Sequence, residues 1–250
     1  MKRWLISLVL LLSSGAQAAV SLSGTRLIFD GAFGEVSIEV RNRSDHEVLL
    51  QTWLSEPSAT DVEPPRELPF VVTPHLSQLP ANGRQALRIL YEGVGMPLGR
   101  ESLLHLYVME IPRRSEGENQ LSIAIRQRIN VFYRPPGLSG DPADTAQRLR
   151  WQLSRDPSGN TTLQVSNPTA YHASVQHLQL GSREVSDYLL LPPAETLRLP
   201  LPEFEAAQKL TFKALTDYGG QRNFVADADW HMPFSARLLP DATSITDVQP

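Results

Sequence analysis

The sequence predicts an all-β protein made of two immunoglobulin-like β-sandwich domains. Three observations carry that expectation. Short runs of alternating apolar and polar residues recur along the chain, 20 prolines and many turn dipeptides separate them, and helical periodicity is weak. At 250 residues the chain is long enough for two domains of about 100 residues each.

Composition narrows the function. A formal net charge of −4 gives no general nucleic-acid footprint. Without cysteine the chain has no disulfide, no thiolate chemistry and no Cys-based zinc site. Six histidines (His46, His75, His105, His172, His177, His231) are scattered without metal-ligand spacing. There is no G-x-S-x-G elbow, no Walker loop and no G-x-G-x-x-G. An enzyme is therefore not expected, and neither is a cofactor, a metal or ATP. At the N-terminus, Lys2 and Arg3 precede an apolar run from Trp4 to Leu12 and the pattern Ala16-Gln17-Ala18. That combination reads as a cleavable export signal over residues 1–18, with the mature chain starting at Ala19. The alternative, a retained anchor, is disfavoured because spanning a bilayer takes about 20 apolar residues.

In chain order, Val20 to Phe29 is an extended segment carrying Arg26, and Glu35 to Arg41 alternates Val36, Ile38 and Val40 against polar neighbours as a half-solvated strand does. Val48 to Ser55 is a strand containing Trp53, and Glu56 to Leu68 is a Pro- and acid-rich surface loop. Phe70 to Pro74, Gln85 to Glu92 and the apolar Arg100 to Pro112 follow as strands, the last a central one. A short link, Arg113 to Gln120, leads to Leu121–Pro135, reading LSIAIRQRINVFYRP. Here Leu121, Ile123 and Ile125 lie on one face against Ser122, Ala124 and Arg126 on the other. By alternation alone this is an ordinary sandwich strand; what sets it apart is its ending on Arg134 and a Pro-Pro-Gly stop. That stop bounds a first domain over residues 19–136 and a second over 137–240, with 241–250 a loose tail. In the second domain, strands are expected at Leu149–Leu153, Thr161–Ser166, Tyr171–Leu180, Tyr188–Leu191, Thr196–Leu199, Lys209–Leu215 and Phe224–Trp230, with no obvious internal sequence repeat.

Several motifs, in this order, resemble the PapD-like periplasmic pilus chaperones over nearly the whole mature chain. They are GTRLIF (Gly24–Phe29), QTWL (Gln51–Leu54), PFVVTP (Pro69–Pro74), LRILY (Leu87–Tyr91), RESLLHLYVMEIP, LSIAIRQRINVFYRP, NPTAY (Asn167–Tyr171) and TDYGG (Thr216–Gly220). The resemblance implies two domains set in an L with a cleft between them and a cis Thr73–Pro74 bond. It also implies a periplasmic protein that binds pilus subunits lacking a strand and delivers them to an outer-membrane usher. Its donor strand would carry Leu121, Ile123 and Ile125, a mode of recognition by β-strand addition. The short link before this strand would go with rod-like pili, and the exposed apolar edge makes self-association plausible when no subunit is bound.

Two cleft cations anchor the subunit's C-terminal carboxylate in that family. Arg26 matches the first. Where the family has Lys, this chain has Asn130, a neutral donor; Arg128, two residues away on the same face, is the alternative. The two stay open at this point. Glu101, Arg134 and Asp217 match an ion network joining the domains. A secreted two-domain adhesin or binding module is the competing reading, since composition alone does not separate the two.

Overall fold

The alternating runs become strands because one face of each can be buried against a second sheet. The computed structural model describes residues 19–58, 67–112, 123–155, 159–201 and 209–240. The export signal, the 113–120 link, Leu121 and the 241–250 tail lie outside the described residues.

The described residues between 20 and 134 supply nine strands: β1 (Val20–Leu22), β2 (Arg26–Asp30), β3 (Glu35–Asn42), β4 (Val48–Ser55), β5 (Phe70–Thr73), β6 (Leu76–Leu79), β7 (Arg84–Tyr91), β8 (Ser102–Pro112) and β9 (Ile125–Arg134). They form a four-stranded sheet, β1-β3-β7-β5, facing a five-stranded sheet, β2-β9-β8-β4-β6. Ile38, Val40, Leu50, Leu87, Ile89, Leu106 and Val131 fill the space between them. The Thr73–Pro74 bond is cis. The segment read from sequence as one extended piece, Val20 to Phe29, breaks at Ser23–Thr25. Its first half pairs with β3 in one sheet, and its second half pairs in parallel with β9 in the other.

Residues 150–238 form the second unit from β10 (Arg150–Arg155), β11 (Thr161–Ser166), β12 (Ala173–Leu180), β13 (Arg183–Leu191), β14 (Thr196–Leu201), β15 (Lys209–Leu215), β16 (Gln221–Asp227) and β17 (Arg237–Leu238). A three-stranded sheet, β10-β11-β14, packs on a five-stranded one, β13-β12-β15-β16-β17, around Trp151, Leu163, Val175, Leu191 and Phe212. A short α1 (Thr145–Arg148) precedes β10.

The two sandwiches share a device although their sequences show no obvious repeat. Asn42 donates its side-chain amide to the carbonyls of His46, Leu79 and Pro80, while its Oδ1 accepts from Ser44. Asn167 does the same with Tyr171, Leu191, Pro192 and Thr169. Each Asn is almost fully buried and satisfies carbonyls where the chain turns between sheets. The common signal is a strand ending in Asn-x-Ser/Thr.

Candidate functional site

The strand β9 is buried at its end and increasingly exposed towards its start. Its odd-numbered residues Ile129, Val131 and Tyr133 are buried in the first-domain core, Ile125 is half-buried, and Ile123, just before the strand, is 62 % exposed. The side-chain row that seals the core at one end therefore leaves it at the other. Along one edge β9 pairs with β8 from Ile125 to Tyr133. Along the other it pairs with β2 only from Asn130 to Arg134. Among the described residues, the stretch Ile125–Ile129 has no ladder partner on that side, so its backbone donors and acceptors point outward.

Arg26 opens β2 and stands in register with Asn130, on the even-numbered face of β9. Its Nη1 lies 3.4 Å from Ser174 Oγ on β12, and its guanidinium sits 5.7 Å from the centre of the Phe132 ring. Burial is the main influence on this group and lowers its pKa, as does the like charge of Arg134, against the pull of Tyr188, Asp217 and Glu101. A half-buried cation in contact with a hydroxyl and a ring face gains when an anion arrives. Asn130 is its neighbour across the ladder. Arg128 is exposed and lines a groove along the free edge with Val20, Gly24, Thr25, Gln127 and Ile129.

The third set, Glu101, Arg134 and Asp217, closes between the two sandwiches. Arg134 Nε donates to Glu101 Oε2 at 2.5 Å, while its two terminal nitrogens grip Asp217 at 2.6 and 2.7 Å. Burial alone would lower the pKa of Arg134, but the bonds to Asp217 and Glu101 outweigh it and raise the pKa. The Tyr171 ring stacks 5.3 Å from the guanidinium. One member escaped the sequence reading: His172, whose backbone N–H and Nδ1 both reach Glu101 Oε1 at 2.8 Å. It was grouped with the scattered histidines, although it directly follows the NPTAY motif. A backbone bond from Glu101 N–H to Ala170 O, 2.8 Å long, completes the junction. Between the domains lies a cavity of about 250 Å3 lined by Arg26, Phe132, Arg134, His172, Ser174 and Asp217, among others. Neither Asn130 nor Arg128 is among its lining residues.

The fold and site define a class of two-sandwich protein with a half-free edge strand, a half-buried cation where that free edge ends and an ion clamp between its domains. Comparison with known proteins gives that class its family. Residues 19–139 match the family described as "Pili and flagellar-assembly chaperone, PapD N-terminal domain", and residues 144–226 match "Pili assembly chaperone PapD, C-terminal domain". The chain belongs to the PapD-like pilus chaperone family. It is 32 % identical over 221 residues to the chaperone protein FimB/FhaD of Bordetella pertussis, covering 84 % of this chain and 88 % of that one. It is also 32 % identical over 226 residues to the probable fimbrial chaperone LpfB of Escherichia coli O157:H7, covering 88 % and 93 %. Among solved structures, the Pseudomonas aeruginosa CupB2 chaperone matches with a TM-score of 0.69 at 29 % identity, covering 84 % of this chain and all of that one. The Salmonella enterica SafB chaperone, solved in complex with SafA pilin, matches with a TM-score of 0.71 at 25 % identity, covering 90 % and 99 %. The family is one of chaperones, not of enzymes.

Proposed function

We propose that this protein captures pilus subunits in the periplasm by lending them the start of β9 and then passes them to an outer-membrane usher. The observation that carries this reading is the half-free edge of β9: among the described residues its backbone over Ile125–Ile129 has no ladder partner on one side, with Ile125 half-buried and Ile123 exposed at its start. A subunit that lacks its final strand offers an apolar groove and unpaired edges. Leu121, Ile123 and Ile125 enter that groove, each contributing about 1.5–3 kcal/mol when fully buried. Every backbone bond formed along the edge adds about 0.5–1.5 kcal/mol net. Ordering both partners subtracts from these gains. Because no nucleotide site is in view, release proceeds by strand exchange, another strand displacing β9 from the same groove.

The direction of the guest strand follows from β2. A strand added along Ile125–Ile129 must end where Arg26 begins, because β2 occupies the rest of that edge. A guest running parallel to β9 brings its carboxylate to the guanidinium; one running antiparallel brings its ammonium. The cation selects the parallel arrangement. Arg26 grips the carboxylate, Asn130 adds an uncharged amide donor from the next strand, and Arg128 meets the guest further back along the edge. Glu101, Arg134 and Asp217, together with His172, hold the domains so that both walls of the site keep their spacing.

Co-expression with a strand-deficient subunit tests the proposal. A one-to-one complex that survives moderate salt is the expected product. If the protein is recovered alone, and instead binds a glycan or a surface, it is an adhesin and the proposal fails.

A further inference from the structure

One buried carboxyl group lies outside the site described for strand donation. Glu110, near the end of β8, is 6 % exposed. The hydrogen bond described for its carboxylate comes from Val20 N–H to Oε2, 3.1 Å long. Among the described residues no Lys, Arg or His forms an ion pair with it. A carboxylate taken out of water and met by one neutral donor is costly, and a cation placed beside it offsets that cost.

The backbone at Ala19 and Val20 is pinned around this carboxylate. Ala19 O accepts from Arg43 N–H at 2.6 Å, and Val20 O accepts from Gln127 Nε2 on β9 at 2.8 Å. Successive backbone nitrogens lie within roughly 3.7 Å of one another, which places the Ala19 nitrogen within about 7 Å of Glu110 Oε2. In the full-length chain that nitrogen is an amide. Hydrolysis of the Ala18–Ala19 bond consumes one water, leaves a carboxylate on Ala18 and frees an amine on Ala19, which takes up a proton near neutral pH.

We infer that Glu110 is an internal receptor for the α-ammonium that export processing creates at Ala19. The ion pair adds to the bonds that already fasten β1 to β8 and, through Gln127, to the free-edge half of β9, so the strand offered to a guest is braced more firmly in the processed chain. Charged groups around this position include Glu110 on β8, Arg43 beyond β3, whose Nε is committed to Ser21 Oγ at 2.9 Å, and Arg128 on β9, which lines the same groove as Val20 and Arg43. The inference rests on reading residues 1–18 as a removable leader. Its test uses no guest, so its failure would leave strand donation untouched.

The test is amine labelling with cyanate, which attacks unprotonated amines, read by mass spectrometry of the terminal peptide. Apart from the terminus, a chain starting at Ala19 contains two amines, Lys209 and Lys213, which serve as internal references. The chain starting at Ala19 is compared with one starting at Ala16. The expected result is at least tenfold slower labelling of the Ala19 amine than of the Ala16 amine, with the protection abolished by Glu110→Gln while both lysines react unchanged. Equal rates for Ala19 and Ala16, or protection that survives Glu110→Gln, would overturn the inference. Should Glu110→Gln not fold, the comparison of Ala19 with Ala16 decides by itself.

Discussion

Replacing Ile123 by Asp separates folding from capture. In the free protein this side chain is 62 % exposed, so the sandwich has little to lose and the change in folding stability stays within about 0.5 kcal/mol. In the proposed complex the same position is buried in the guest's groove. Full burial of isoleucine is worth about 1.5–3 kcal/mol, and 62 % of that range, roughly 1–2 kcal/mol, is still available to binding. An aspartate forfeits this and in addition brings a carboxylate into an apolar groove, which adds at least about 2 kcal/mol. The sum, about 4 kcal/mol, raises Kd roughly a thousandfold. Calorimetric titration with a purified subunit measures the affinity, and a thermal melt of the free variant measures stability. Capture at wild-type affinity would refute the strand assignment. So would a melt that falls by several degrees, since it would mean that the residue belongs to the domain's own core.

Arg26→Ala should weaken subunit binding by about 2 kcal/mol, the range of a charge-assisted bond, while a subunit whose C-terminus is amidated should bind both forms equally. Asn130→Lys should tighten binding roughly tenfold by adding a charge beside Arg26, an effect read in the same titration and absent with the amidated guest. Arg134→Ala leaves the Glu101 carboxylate, whose side chain is 1 % exposed, with His172 as its remaining side-chain partner and should cost about 3 kcal/mol in urea unfolding. His105, whose pKa is lowered by burial and then by the charge of Arg128, makes stability depend on pH. Its folded form resists protonation, so stability is lost as pH falls from the ordinary histidine value of about 6.5 towards the lower folded value, and is flat beyond. His105→Phe should flatten that part of the urea midpoint profile.

The strands that the sequence makes plain are those with one dry face. Glu35–Asn42 and Thr161–Ser166 alternate between core and solvent, and the alternation survives into the fold. Leu76–Leu79 was passed over because a four-residue edge strand just after Pro74 and His75 leaves too short a pattern. The strand β13 begins at Arg183, not Tyr188, because its first residues are exposed and polar and are held by pairing with β12 instead of by burial. At the site, Arg26, Glu101, Arg134 and Asp217 could be placed from their motifs. His172 could not, because its importance comes from Glu101, which is 71 residues away in sequence and approaches from the other domain. The standing of Asn130 relative to Arg128 depended on register, which sets Asn130 beside Arg26 and Arg128 beside the open edge.

The shared edge of β9 has a further consequence. Since β2 begins at Arg26 on the line that a guest strand would follow, the proposed mode of capture gives the chain a built-in zero mark, with the guest measured from its own last residue backwards. Alignment of the two strands is then fixed by where the guest stops, with no need for its individual side chains to be read. A guest lengthened by even two residues would run into Thr25 and Gly24 or slide out of step by one full pleat repeat, so a tag that is harmless on the folded pilus would be fatal at this ruler.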